Sequence, residues 1–319
     1  MKESKVNILV TGGAGFIGSN LVGALLKEPR VAKVRVLDNL SNGYYSNIKD
    51  FETNFNFEFL EGDISDYTTC LRAMEGIDKV SHQAALGSVP RSIENPMLTD
   101  RVNVGGTVNI MHAAVKQGVN RVIMAFSSST YGDHPGLPKV EDKTGNPLSP
   151  YAVSKLADEL YADVFSKTYG MDYIGLRYFN VFGPRQNPDN PYAAVIPLFC
   201  KAFIERQPCH IKGDGLTSRD FTYVDNAVQA NIKALFTDNR EALNQVYNVA
   251  CGEQTTLLQV IDYLKEISGQ NIAPIHEEPR PGDVRHSLAD ISKIKKLLNY
   301  EPTVLMREGL EKVYKWYVG

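Results

Sequence analysis

The sequence predicts an α/β fold: a doubly wound parallel sheet of the Rossmann type with a smaller, mixed α/β substrate domain toward the C-terminus. Three observations predict it. Short apolar runs alternate with amphipathic helical stretches through the first half of the chain. A glycine-rich turn follows the first run, and an acidic residue stands about twenty positions further on. After the middle of the chain this rhythm loosens into segments rich in proline and glycine.

Taken in order, the apolar runs predict strands over 6–10, 33–37, 57–60, 79–82 and 121–126. Helical spacing lies between them, notably over 16–27 and 104–117. A helix over 151–169 and a strand over 172–178 follow. The stretch 183–197 holds four prolines, and Gly213-Asp214-Gly215 and Pro279-Arg280-Pro281-Gly282 read as loops. Residues 221–249 read as a helix and then a strand that returns to the large sheet. The expected division is therefore 1–178 plus 221–249 for the sheet domain, against 179–220 and 250–319 for the substrate domain.

Composition excludes several classes. The 319 residues are 43% hydrophobic and 22% charged, enough apolar content for a large core. A net charge of -3 offers no basic field for nucleic acid or an anionic membrane. Cys70, Cys200, Cys209 and Cys251 are scattered, with no metal-ligand spacing, so reduced thiols and no metal are expected. With no apolar leader or spanning run in the sequence, the expected location is the cytoplasm.

Thr11-Gly12-Gly13-Ala14-Gly15-Phe16-Ile17-Gly18 joins the first strand to the first helix. Glycine allows the tight turn and close approach to a pyrophosphate, and the amides at the helix start favour negative charge. Asp38 ends the second strand, where a carboxylate accepts from both adenosine ribose hydroxyls and repels a 2'-phosphate, so NAD is expected over NADP. Asn39, Ser41 and Gly43 in the following loop join the candidate cofactor set. So do Ile64, Gln83-Ala84-Ala85 after the fourth strand, and Tyr178. Asp63 suits an adenine edge and a plain turn equally.

Tyr151 and Lys155 are four residues apart, which on a helix puts both on one face. A phenol ordinarily ionises near pH ~10, and a neighbouring cation lowers that by about 1 to 3 units, which makes phenolate chemistry accessible. Ser127, Ser128 and Ser129 follow the fifth strand at the carboxyl edge of the sheet, where a hydroxyl could donate to and accept from a substrate alcohol.

The G-x-x-G-x-x-G turn, Asn103 in Asn103-Val104-x-Gly106-Thr107, the run Ser127-Ser128-Ser129-Thr130-Tyr131-Gly132 and Tyr151-x-x-x-Lys155 together resemble the extended short-chain dehydrogenase/reductase family over essentially the whole chain. The resemblance implies a cofactor role for Asn103 and catalytic roles for Tyr151, Lys155 and a serine. Ser127 holds the family's position for that serine, with Ser128 the adjacent alternative. It further implies that Lys155 holds the nicotinamide ribose. Dehydratases of the family carry an Asp-Glu pair just after the catalytic hydroxyl, where this chain has Ser128-Ser129. Serines are poor acids and bases near pH 7, so elimination is disfavoured and 4-epimerisation is expected.

For the substrate, the resemblance implies nucleotide-sugar contacts at Asn180, Arg219, Arg280 and Asp283, and at Ser88, Ala194 and Val195. The family often has asparagine at the position of Ala194, which leaves the backbone of Val195 as a contact. His210 suits stacking on uracil or ordinary packing. At Ser287 the epimerases restricted to UDP-glucose and UDP-galactose carry tyrosine, and serine leaves room for an N-acetyl group. The pattern is similar to bacterial epimerases acting on UDP-N-acetylglucosamine and UDP-N-acetylgalactosamine for O-antigen or capsule assembly. Decarboxylation of UDP-glucuronate and 4,6-dehydration are the enzymatic alternatives, and a non-catalytic NAD-binding regulator is a third. The resemblance also implies a homodimer formed by helices 104–117 and 151–169.

Overall fold

A computed structural model of the chain describes residues 5–279 and 285–319. It is built on seven parallel strands. In chain order the elements are β1 (Val6–Thr11), α1 (Phe16–Leu25), β2 (Val31–Asp38), β3 (Phe57–Glu61), α2 (Tyr67–Met74), β4 (Lys79–His82), α3 (Val89–Glu94), α4 (Pro96–Asp100), α5 (Gly106–Lys116) and β5 (Arg121–Ser127). They continue with α6 (Pro150–Tyr169), β6 (Asp172–Tyr178), β7 (Val181–Phe182), α7 (Val195–Ile204), β8 (His210–Lys212), β9 (Ser218–Arg219), β10 (Thr222–Tyr223), α8 (Val224–Phe236) and β11 (Gln245–Val249). Last come β12 (Thr255–Thr256), α9 (Leu257–Ser268), β13 (Ile275–Glu277), α10 (Ser292–Leu298) and α11 (Met306–Val318).

The large sheet has the order β11-β6-β5-β4-β1-β2-β3. Every pairing in it is parallel. Because successive side chains on a strand point to opposite faces, each strand feeds two cores. Ile8 and Val10 join the cluster that holds α1, α8 and the C-terminal helices, while Leu9 joins the cluster beneath α2, α5 and α6. Ile123 divides from Val122 and Met124 in the same way. Strands covered on both faces tend to read as continuous apolar runs, as Ile8-Leu9-Val10 and Val122-Ile123-Met124 do here, whereas β2 and β3 alternate apolar residues with Lys33, Arg35 and Glu58.

Strands 79–82 and 172–178 coincide with β4 and β6, and β11 pairs with β6 from Gln245↔Ile174 to Val249↔Tyr178. The expected helix over 104–117 begins later, at Gly106, because 101–105 form a wider π turn in which Asn103 is buried. The short strands β7 to β10, β12 and β13 lie outside the large sheet and pair as β10-β7, β12-β9 and β13-β8, with Ser218 of β9 also bridging His286.

Candidate active site

The strand order reverses between β1 and β4, and open parallel sheets take ligands in the crevice outside the carboxyl ends at such a point. A cleft of about 490 Å³ lies there. Gly12, Gly15, Phe16, Ile17 and Gly18 line it from the first turn, with Asp38, Asn39, Ser41 and Gly43 from the loop after β2. Ile64, Gln83, Ala84, Ala85 and Ser88 line it from the loops after β3 and β4, with Tyr151 and Lys155 from α6, Tyr178 from β6, and Ala194.

The first turn is shaped by two glycines. Gly12 sits at φ +68 and its N–H donates to the Leu37 carbonyl at 2.8 Å. A Cβ there would lie 2.7 Å from the Ala84 backbone, so β1 and β4 approach one another only because the side chain is absent. A Cβ on Gly18 would come within 2.1 Å of the Gly12 carbonyl oxygen. Gly15 at the N-cap of α1 provides no side-chain cap, so the first amides of the helix face the cleft end of the turn as donors for an anion.

Asp38 is nearly buried and accepts from the amides of Ala14 and Leu40, each at 2.9 Å. Burial raises its pKa, against the pull of those amides. The carboxylate therefore braces the glycine turn as well as lining the cleft. Asn39 donates to Asp63 at 2.8 Å and accepts from the amide and hydroxyl of Ser41. Asp63 itself is not among the lining residues. Against the opposing effect of burial, the Ser65 amide and Asn39 hold its carboxyl below the usual range.

Tyr151 and Lys155 enter from the first two turns of α6. Ser149 caps this helix by accepting from Ala152 N–H at 3.1 Å, and Pro150 at the first position has no amide to leave unpaired. Lys155 is 4% exposed. Its Nζ donates to the Ala125 carbonyl at 3.1 Å and to Asp158 Oδ2 at 3.0 Å. Burial opposes the ammonium, yet Asp158 and Tyr151 outweigh it and raise the lysine pKa. Tyr178 donates to Gln83 and accepts from Asn231, and burial pushes its phenol up to about 12, so it remains a neutral wall of the cleft.

Several expected residues lie elsewhere. Ser127 and Ser128 are not lining residues; Ala125 and Phe126 just before them are. Ser127 Oγ accepts from the Ser129 amide at 3.1 Å, and Ser127 pairs with Tyr178 across the sheet. Asn103 is fully buried and also off the cleft surface. Its side chain bonds both backbone groups of Leu86 and reaches Ser154 Oγ at 3.0 Å, so it fixes the loop after β4 against α6. Asn180, at φ 39, donates to the Asp220 carbonyl, and Val195 opens α7 beside the lining Ala194.

His210 is exposed and paired with Glu277 at 2.7 Å. Arg219 and Ser287 are brought together with Ser218: the Ser287 amide and Arg219 Nη1 both donate to the Ser218 carbonyl, at 3.1 and 3.0 Å. Arg280 and Asp283 lie outside the described residues.

The cleft also contains residues that local sequence did not single out. Asn42 and Tyr44 line one rim, and Arg185, Asn187, Asn190 and Tyr192 line the other. Asn187 donates to the Tyr44 hydroxyl at 2.7 Å, and Asn190 and Arg91 both donate to Asn42 Oδ1. The four-proline stretch 183–197 was the available signal. Its residues reach the cleft only through the fold.

A glycine cradle that a Cβ would fill, open helix amides and a carboxylate at the end of β2 fit the pyrophosphate and ribose of a dinucleotide. The comparisons with known proteins agree. A solved UDP-N-acetylglucosamine 4-epimerase from Methanobrevibacter ruminantium, in complex with UDP-N-acetylmuramic acid, is 37% identical over 99% of both chains, with a TM-score of 0.93. The UDP-glucose 4-epimerase of Mycolicibacterium smegmatis is 36% identical over 311 residues, 97% of each chain. A Bacillus cereus UDP-glucuronic acid 4-epimerase, solved with UDP-glucuronic acid and NAD, is 35% identical over 97% of this chain and 98% of that one, with a TM-score of 0.90. Residues 8–250 match the model of the NAD dependent epimerase/dehydratase family, and with these relatives the match establishes that the chain belongs to that family.

Proposed function

We propose that the protein interconverts UDP-N-acetylglucosamine and UDP-N-acetylgalactosamine by 4-epimerisation, with UDP-glucose and UDP-galactose as further substrates. One observation carries the choice of epimerisation within the family. Ser128 and Ser129 stand directly after Ser127, where dehydratases of the family carry their acid-base pair, and Asp38, the only carboxylate among the described residues that line the cleft, belongs to the dinucleotide end. A keto sugar beside Tyr151 would then meet no acid-base pair able to expel a hydroxyl, whereas return to the alcohol needs only the proton Tyr151 already holds and the hydride given up in the oxidation, which NAD, when bound, would store and return.

Tyr151 takes the proton of the sugar 4-hydroxyl and gives it back, Lys155 stabilises the phenolate by its charge, and Ser127 or Ser128 binds the reacting oxygen. Asp38 and the Gly12–Gly18 turn would hold NAD, which supplies a reversible two-electron acceptor when bound. In this reading residues 179–220 and 250–319 cover the sugar, Arg219, Arg280 and Asp283 hold the UDP group, and Ser287 leaves space for the acetyl group. The similarity to the Methanobrevibacter enzyme supports the acetylated substrate.

A homodimer completes the proposal. The outer face of α6 exposes Val153, Leu160, Tyr161 and Val164, and Met97 on the adjoining α4 is 79% exposed. Such a contiguous apolar face is typical of an interface. Leu160→Glu is expected to give monomers in sedimentation, and a variant that stays dimeric would place the interface elsewhere.

A substrate panel read by NMR tests the reaction: UDP-glucose, UDP-galactose, both UDP-N-acetylhexosamines and UDP-glucuronate. UDP-N-acetylgalactosamine formed from UDP-N-acetylglucosamine supports the proposal, while a 4-keto-6-deoxy product or carbon dioxide from UDP-glucuronate would overturn it. The similarity to UDP-glucuronic acid 4-epimerase, together with Arg91 and Arg185 on the cleft wall, favours a UDP-hexuronate as the second reading. A C4-inverted uronate in the same panel would select it.

A further inference from the structure

We propose that Asp158 is a positioning residue that sets both the direction and the electrostatic strength of Lys155. The inference rests on the epimerase reading only for its kinetic arm. Tyr151, Lys155 and Asp158 fall at spacings of four and three along α6, which stacks them on one helix face. Asp158 is 1% exposed and Lys155 4%, so the two are held inside the protein as a buried ion pair. An ammonium has three N–H donors. Two are taken by Ala125 O and Asp158 Oδ2, which leaves one for the cleft that Lys155 lines. The same carboxylate opposes the field that the ammonium projects on Tyr151.

Asp158 is itself tied to the dinucleotide end of the cleft. Burial raises the Asp158 pKa, against the pull of Lys155 and, more weakly, of Thr107 on α5, and Asp158 Oδ1 makes no hydrogen bond among the described residues. Thr107 Oγ1 is 3.0 Å from His82 Nε2, and His82 Nδ1 is 2.7 Å from Thr11 Oγ1, which already accepts from the Ala84 amide. One tautomer uses every donor in a single direction. Thr11 donates to Nδ1 and Nε2–H donates to Thr107, so the Thr107 hydroxyl proton is free to turn to Asp158. Thr11 adjoins Gly12, so bonds link the glycine turn to Thr107, whose hydroxyl lies beside Asp158.

The other groups around the pair leave Asp158 as its counter-charge. On α6, Glu159 is occupied by Arg177 of β6; β5 contributes a carbonyl, α5 a hydroxyl, and β4 the neutral His82.

The test compares the wild-type protein with Asp158→Asn and Asp158→Glu. Tyrosinate formation is followed by ultraviolet difference absorbance, with Tyr151→Phe subtracted to isolate Tyr151, and kcat and KM are measured across pH. Asp158→Asn should move the Tyr151 titration and the acidic limb of kcat about 1 pH unit lower. It should reduce kcat roughly 10-fold by misdirecting Lys155, with KM nearly unchanged. Asp158→Glu should restore part of the shift. A loss of activity with both titrations unmoved would overturn the proposal, since a purely structural carboxylate predicts that result. If Asp158→Asn does not fold, Thr107→Val should move the same titrations in the same direction by a smaller amount, and no movement there overturns it too. A wild-type protein that epimerises no UDP-sugar would refute the assigned reaction while the absorbance titration still decides the role of Asp158.

Discussion

Arg177 grips the carboxylate of Glu159 with two parallel hydrogen bonds, Nε to Oε1 at 2.8 Å and Nη2 to Oε2 at 2.7 Å, inside the protein. The pair locks α6 to β6, and the guanidinium also lies over the Tyr131 ring, 4.8 Å from its centroid. A buried cation left without its partner costs about 3–5 kcal/mol. Glu159→Gln should lose that amount in denaturant unfolding. Catalysis should weaken as well, because the helix that shifts carries Tyr151.

Tyr151→Phe removes the proposed proton acceptor and little volume. The expected result is a fall in kcat of about 10² to 10⁴ with NAD content unchanged, measured as product formed per enzyme per second and as dinucleotide released on denaturation.

Gly12→Ala should produce a folded protein depleted of NAD. A left-handed backbone costs a non-glycine residue about 1–2 kcal/mol, and the added Cβ would press on the Ala84 backbone at 2.7 Å. Dinucleotide content after purification checks this, and a full complement of NAD would count against the turn as the pyrophosphate site.

Burial and the charge of Lys155 lower the pKa of His82 from 6.5 to about 3. Below pH 6.5 the unfolded chain therefore binds a proton that the folded protein refuses. Stability from this group is fully present above pH 6.5 and is lost as pH falls toward 3, by several kcal/mol in total. Denaturant midpoints across that range should show the slope, and His82→Gln should flatten it while lowering stability at neutral pH.

Ser287→Tyr should lose turnover of the acetylated UDP-sugars at least 10-fold through overpacking while retaining UDP-galactose. Equal loss of both substrates would remove Ser287 as the gate.

The large sheet was legible in the sequence because its central strands are covered on both faces and hold apolar runs such as Ile8-Leu9-Val10 and Val122-Ile123-Met124, bounded by turns. Strands β4 and β6 were bounded to the residue. The pairs β10-β7, β12-β9 and β13-β8 contain two or three residues per strand, too few to display a period. Within the site, the glycine turn and the α6 pair are local motifs and could be read directly. Arg185 and Asn190 were not, since they come to the cleft from a loop that only the folded chain brings opposite Asn42. Asn103 shows the converse case: its position matched a motif, yet its amide is spent on Leu86 and Ser154.

The place of β11 beside β6 has a consequence for the protein's birth on the ribosome. Until residues 245–249 have emerged, β6 has no neighbour on that side, and its backbone donors and acceptors offer a template to any extended segment nearby. A chain truncated before Gln245 should accordingly aggregate rather than yield a minimal dinucleotide-binding fragment. The sheet that supports Tyr178 is finished only when nearly four-fifths of the chain has been made.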